Sequence, residues 1–195
     1  MKDALIKRFI SDERFGSYRD IEEYEANLLL SKNAYIPLSI LEIALKNSID
    51  NLLSVKLGIN WIEDTGFLTK DSIVKIEEAK SILQKRGESI TKSKIIAELS
   101  FGFWVNLFKK PYATKLRTSD LQNIFLNLPL REEKLINREV LYKELNHIRN
   151  FRNRVFHYEK VLNKNNYNKI FDEIDEILCY FDKELLEFSK KANNG

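Results

Sequence analysis

Between Ile36 and Leu57 the apolar residues Ile36, Ile40, Ile43, Leu45, Ile49, Leu52, Leu53 and Leu57 keep close to helical spacing. Pro37 stands near the start, where proline is tolerated, and Gly58 follows the end. Such a run predicts a long core helix, and a chain that must bury one has to build its other elements around it. Punctuation elsewhere is sparse. Only three prolines and six glycines occur in 195 residues, too few for the many tight turns of a sandwich or barrel. The expected class is therefore all-α, a helical bundle.

Further elements follow from the same periodicity. Asp20 suits an N-cap, and Ile21, Tyr24 and Leu28 predict a first helix over Asp20 to Ser31, separate from the one beginning at Ile36. After a connection carrying Trp61 and Gly66, Thr69 opens a helix with Ile73, Ile76, Ala79, Ile82 and Leu83 that ends near Gly87. Ser93 to Phe108 is apolar nearly all round and predicts a helix buried on more than one side, with Gly102 marking a close crossing and Pro111 closing it. A short helix over Ser119 to Leu126 follows. Leu135, Val140, Leu141, Leu145, Ile148 and Val155 then predict a long amphipathic helix from Glu132 to Phe156. Beyond a turn at Asn163 to Asn166, Ile170, Ile174, Ile177, Leu178, Phe181 and Leu185 predict one last long helix, with Lys190 to Gly195 fraying. The expected architecture is one domain, its core about 20–188 with short flexible termini, ending in a long antiparallel helix pair.

Several function classes are disfavoured at this point. The longest apolar runs, such as Ile36 to Leu41 and Phe101 to Val105, are too short to cross a bilayer, and Met1, Lys2 and Asp3 lead into no signal-peptide core, so a cytoplasmic protein with no membrane partner is expected. Cys179 is the lone cysteine and, among Ile177, Leu178 and Phe181, is expected to be a small buried hydrophobe. Thirty-two Lys plus Arg against 29 Asp plus Glu gives a net charge of +3, which supplies no general field for a polyanion, so contacts to RNA would have to be local. With two histidines ten residues apart and no cysteine cluster, the ligand set for a metal is poor. No metal and no cofactor are expected.

Those two histidines, His147 and His157, are also the few candidates for acid–base chemistry near neutral pH. No motif claims His147, which is expected to be structural or solvent-facing. His157 stands among Arg149, Arg152 and Arg154, with Asn150 and Asn153, in a local basic and amide-rich stretch. On a helix, Arg149, Asn153 and His157 form one stripe, whereas Arg152 lies about 140° round from His157. Its long side chain would have to bend, the helix loosen, or a second subunit complete the site. Read as an ordinary helix end, the same residues compensate the helix dipole. Phe101, Phe103 and Trp104 are expected in the core. Glu42, inside an apolar helix, is either paired with a base or part of a cleft. Lys109, Lys110, Lys115 and Arg117 form a basic patch, ordinarily solvated surface, with guidance of RNA as its other reading.

The segment Arg152-Asn153-Arg154-Val155-Phe156-His157 resembles the signature of HEPN domains, an Arg often followed by Asn and then a His after four to six residues. Two further segments resemble the Abi-like (abortive infection) proteins of that superfamily, in the same order along the chain. Lys94 to Phe108 contains Leu99-Ser100-Phe101-Gly102-Phe103-Trp104, similar to their Leu-Ser-Phe-Gly-Phe-Trp segment, and Leu38 to Asn47 is similar to their early helix with its Glu and Arg-Asn pair. The resemblance spans Tyr24 to Tyr180. Lys46 departs from it where Arg is commoner, and lysine lacks the bidentate fork of a phosphate clamp.

The resemblance implies an all-helical HEPN bundle that dimerises, facing two Arg–His motifs across a cleft, and acts as a metal-independent endoribonuclease in antiphage defence or as a toxin. In the implied reaction a ribose 2′-OH attacks the adjacent phosphodiester and leaves a 2′,3′-cyclic phosphate. His157 would transfer protons, Arg152 would bind the developing negative charge and Asn153 would orient the histidine or the phosphate. Arg149, Arg154, Glu42, Lys46, Asn47 and Tyr158 would support or bind phosphate. RNA is the implied substrate, and an antitoxin or noncoding RNA is the kind of regulator such a nuclease calls for. A non-catalytic RNA-binding or protein-interaction module is the alternative.

Overall fold

The Asp20 carboxylate accepts the amide of Glu23 at 2.8 Å, satisfying one orphan donor of a first helical turn. The helix it opens does not stop at Ser31: it runs 37 residues, Ile21–Leu57, to Gly58, whose φ of +95° suits glycine. The computed structural model describes residues 3–194, among which ten α-helices and three short 3-10 helices occur and no strand. In chain order these are α1 (Asp3–Phe9), α2 (Asp12–Phe15), α3 (Ile21–Leu57), α4 (Lys70–Lys85), α5 (Lys92–Glu98), α6 (Phe101–Asn106), α7 (Thr118–Ile124), α8 (Arg138–Phe156), α9 (Ile170–Phe181) and α10 (Lys183–Asn193). Met1, Lys2 and Gly195, on which the expectations for the two ends partly fall, lie outside the described residues.

The two helices expected on either side of Pro37 are thus one. Proline removes an amide donor and crowds the preceding turn, at a cost of about 3 kcal/mol in a helix interior. Against that stands a buried stripe on both sides of it, Ala34, Leu38, Leu41, Leu45, Ile49 and Leu53, none more than 2% exposed. Burying side chains of this size is worth about 1.5–3 kcal/mol each, so packing outweighs the proline. Helix α3 touches α6, α7, α8, α9 and α10 and is the axis of the core. By length and composition it could also cross a bilayer, with a mean hydropathy of 1.4 over an 18-residue window, although the uninterrupted apolar runs within it are short. The buried stripe accounts for part of that apolar content, while Leu28, Leu29, Tyr35, Ile43 and Val55 on the same helix are exposed.

Two other expected helices are each broken in two. Leu99 (ψ 129°) turns the chain out of the helix between α5 and α6, and Asp182 (φ −169°, ψ 144°) ends α9 and caps α10 through the amide of Glu184. Both breaks let a short amphipathic piece change direction and keep burying its apolar side: Ile95, Ile96, Leu99, Phe101, Phe103, Trp104 and Val105 are all buried. Helix α8 begins at Arg138 rather than Glu132, since the Asn137 side chain accepts the amides of Glu139 and Val140. Thr69 caps α4 and Gly87 lies past its end at φ +69°, as expected. Gly102 is where α6 meets α8: a Cβ there would lie 3.5 Å from Cδ of Arg149. Cys179 is only half-buried, and Asn127 Nδ2 stands 3.6 Å from its Sγ.

Ahead of α3, α1 and α2 form an N-terminal segment for which the sequence predicts no element. Ile6 and Tyr18 are buried there, outside the main core cluster. The segment is tied to the chain that leaves α8: Arg14 Nη1 donates to the carbonyl of Tyr158 at 2.6 Å, and Lys160 Nζ to that of Ser17 at 2.9 Å.

Candidate functional site at the end of the long C-terminal helix

Five residues of α8, Leu141, Leu145, Ile148, Phe151 and Val155, are buried, which fixes the rotation of the helix and so the direction of every arginine on it. The three arginines do not form one cluster. Arg149 is half-buried, and its side chain lies across Gly102 of α6. Arg152 turns to α3, placing Nη2 3.3 Å from Glu42 Oε2 and its guanidinium carbon 4.3 Å from the centre of the Phe156 ring. Arg154 reaches past the helix end, with Nη1 2.6 Å from Glu159 Oε2. The divergence follows from the helix itself, since each residue turns about 100°.

Glu42 is therefore paired with a base, and that base is Arg152; the side chains are 21% and 27% exposed. Phe156 lies beneath the guanidinium and also meets Tyr35 of α3, with ring centres 5.8 Å apart. Two guanidinium donors in this region, Nε of Arg149 and Nε of Arg152, are buried without a hydrogen-bond partner. An unpaired buried donor costs about 1–3 kcal/mol, more for a charged group, so each is a standing demand for an acceptor. Lys46 sits one turn beyond Glu42 on α3, half-buried, and Asn47 beside it is exposed.

His157 is not within the helix: it is its C-cap (φ −96°, ψ 9°), and its amide closes the last turn on the carbonyl of Asn153 at 2.9 Å. Both Asn153 and His157 are exposed, so they share the solvent side as expected, but Arg149 has left their stripe for α6. No hydrogen bond joins Arg152 to His157 among the described residues; the one chain does not close that pair. Tyr158 follows in the left-handed region at φ 58°. Its amide bonds the carbonyl of Val155 at 3.1 Å and that of Glu159 bonds Arg154 at 2.9 Å, the paired reverse bonds of a Schellman ending. Glycine is the usual occupant of this position.

One residue organises the site that its sequence context does not reveal. Asn27 of α3 is buried, and its Oδ1 accepts the amides of Val161 at 2.8 Å and Leu162 at 3.0 Å while Nδ2 donates to the carbonyl of Glu159 at 3.4 Å. It thereby supplies partners to three backbone groups of the chain leaving α8 and fixes the chain directly after His157. Only its place on the core side of a helix, unusual for asparagine, could have signalled it.

The remaining candidates lie apart. His147 is structural: Nδ1 is 2.8 Å from Glu173 Oε2 and the ring stacks on Tyr167 at 5.4 Å. Phe101, Phe103 and Trp104 are core. Lys115, in the basic patch, is held by the carbonyl of Phe67 at 2.8 Å. Among the described residues no group of three His, Cys, Asp or Glu side chains is placed to hold a metal ion. No protein-family model, curated protein or solved structure matches this chain.

Proposed function

We propose that the chain is an Abi-like protein of the HEPN type and a metal-independent endoribonuclease, with Arg152 and His157 as its working pair and a role in antiphage defence or as a toxin. The observation that carries this reading is the contact between Arg152 and Glu42. It brings together in space the early helix and the late motif that resemble the same family and lie more than a hundred residues apart in sequence. The contacts of α8 with the last helices, His147 with Glu173 and Phe151 with Phe171, descend along one as they climb the other, which supports an antiparallel C-terminal pair.

In the proposed reaction His157, solvent-facing at the helix end, takes the proton from a ribose 2′-OH as that oxygen forms a bond to the neighbouring phosphorus. The P–O bond to the 5′-oxygen breaks, that oxygen gains a proton, and a 2′,3′-cyclic phosphate remains. Arg152 binds the non-bridging oxygens through guanidinium N–H groups that Glu42 does not take, while Glu42 and the Phe156 ring hold the guanidinium in position. Asn153 lies on the same exposed side as His157 and orients it or the phosphate; Lys46 and Asn47 extend the polar surface along α3.

A second copy of the chain would supply the second histidine. Leu28, Leu29, Tyr35 and Ile43 leave apolar surface exposed along α3, and Tyr35 adjoins Phe156, so a face suited to self-association borders the Arg152 site. Cytoplasmic RNA is the substrate in this reading, with an antitoxin or a noncoding RNA as the restraint such a nuclease requires. The test is to incubate the purified protein with RNA in chelator. Cyclic-phosphate ends made by the wild type and lost in His157→Ala and Arg152→Ala are expected; RNA bound and left intact by all three would leave a non-catalytic binding module instead. Mass in solution is expected to be that of a dimer.

A further inference from the structure

The N-terminal segment and the turn behind α8 line an open cavity of about 480 Å³, reached by Arg154 and Tyr158 on either side of His157 in sequence but not by His157 itself. Arg154 and Tyr158 line it from the motif side, Arg14 and Tyr18 from the N-terminal segment, and Lys160 and Lys164 from the exit chain. Its cations are unequally committed. Arg154 is paired with Glu159 and Lys160 with Glu23. Arg14 gives one N–H to a neutral carbonyl, and neither Arg14 nor Lys164 makes an ion pair among the described residues. Against these two charges the lining sets one unpaired carboxylate, Glu13. The cavity thus has room for an anion's charge.

Two further features point to a ligand. Tyr18 is 7% exposed, and its hydroxyl, shielded from water, makes no hydrogen bond of good geometry among the described residues, with only a weak approach from the Ser17 side chain. Burial pushes that hydroxyl above its ordinary pKa, so at neutral pH it is a donor awaiting an acceptor. The backbone is also strained around the opening. Among the described residues three non-glycine residues have positive φ: Ser11 and Tyr158, which line the cavity, and Asn163, which precedes Lys164. Tyr158 takes its value as the left-handed residue that ends α8, and the three together set the shape of the rim. The Tyr158 ring, 71% exposed, offers a flat face at the rim on which a base can stack.

From these observations we infer that the cavity is a nucleotide subsite. It takes the phosphate and base of the RNA residue adjoining the one at His157, with Arg14 and Lys164 on the phosphate and the Tyr18 hydroxyl reached only as the lining side chains part around it. The inference rests on the ribonuclease reading for its substrate, but it makes its own demand, which is binding rather than cleavage. A volume of this size suits one nucleotide. The same phosphate chemistry could come from a free nucleotide, and the experiment separates the two.

The full-length His157→Ala protein, which leaves RNA intact, is titrated against a fluorescein-labelled 12-nucleotide RNA by anisotropy over a range of salt. The titration is repeated after adding Lys164→Ala, Tyr18→Phe or Arg152→Ala. Lys164→Ala is expected to weaken binding about three- to tenfold and to flatten the dependence of log Kd on log salt by about 0.7, the value for one contact to a single strand. Tyr18→Phe, which keeps the ring and its packing, is expected to weaken binding with the slope unchanged. Arg152→Ala reports on the adjoining site independently. Equal affinity for Lys164→Ala, Tyr18→Phe and the parent overturns the subsite, as does an RNA that does not bind the parent. Adenosine 5′-monophosphate that binds in a Lys164-dependent way without displacing the RNA overturns it in favour of a free nucleotide. If the wild type cuts no RNA but the Lys164 and Tyr18 effects hold, the nuclease reading fails and the subsite stands.

Discussion

Arg152 and Glu42 face each other across α8 and α3 at 3.3 Å, and the same guanidinium covers the ring of Phe156. This triple arrangement aims one arginine of three at the seam where the early helix meets the motif. Both side chains are about a quarter exposed, so the ion pair itself is worth about 1 kcal/mol or less. Its larger effect is to hold the guanidinium in place. Glu42→Ala is therefore expected to lower cleavage about tenfold or more through misplacement of Arg152, while unfolding free energy changes by about 1 kcal/mol. Urea denaturation and single-turnover cleavage, combined in a double-mutant cycle with Arg152→Ala, check this. Additive losses of activity would show that Glu42 does not act through Arg152.

Tyr158 holds a left-handed position that glycine occupies at little cost, and its side chain is largely in solvent. Replacing it removes backbone strain of about 1 kcal/mol and little packing. Tyr158→Gly is expected to raise stability by about that amount, or the thermal midpoint by about 2–4 °C for a chain of this size. If the ring stacks a base at the cavity, the same variant binds the RNA more weakly than its parent. Stability gained and affinity lost together would mark a residue kept for its ligand rather than for the fold.

What was legible in the sequence was local. Asp20 and Thr69 as caps and Gly58 and Gly87 as stops act within one helical turn, and each is where the sequence puts it. The bend at Leu99 was hidden because Ser93 to Phe108 is apolar nearly all round, so no clear change of face marks it. Continuation through Pro37 was hidden for the opposite reason: a local breaker is overridden by packing that involves the whole bundle. The candidate site divides in the same way. Arg152 and His157 stand out through the basic stretch around them and the two further segments that share their family resemblance, but the partners that position them do not. Asn27 meets Val161 134 positions away, and Arg14 meets Tyr158 at a separation of 144. Such contacts leave no periodic trace.

Asn27 accounts for three hydrogen bonds to the exit chain, so its loss leaves the buried amide of Val161, the half-buried amide of Leu162 and the carbonyl of Glu159 unmet. Asn27→Ala is expected to cost about 2–4 kcal/mol. Because the bonds fix the backbone directly after His157, hydrogen exchange is expected to rise first at Glu159 to Leu162, ahead of α3 and α9. Cleavage is expected to fall more steeply than the folded fraction does. Exchange that rises uniformly across the chain would show that Asn27 supports the core in general and not the turn.

Glu23 secures the same exit chain by charge. Its carboxylate receives Lys160 at 2.8 Å, the Arg19 amide at 2.6 Å and Asn163 Nδ2 at 3.1 Å, and these bonds, Lys160 foremost, hold its pKa down to about 2 from an ordinary 4.5. A carboxylate depressed in the folded state stabilises it above the unfolded pKa, and that contribution is lost as pH falls through the folded value. The contribution should be complete above about pH 4.5 and disappear towards pH 2. Wild type and Glu23→Gln are thus expected to differ most in urea midpoint above pH 4.5 and to converge as the solution is acidified. Lys160 lines the cavity as well as bonding Glu23, so Glu23→Gln, which removes a negative charge and releases that ammonium, is expected to strengthen RNA binding at low salt. A midpoint difference that stays constant from pH 6 to pH 3 would mean that Glu23 contributes shape and hydrogen bonds, but not its charge.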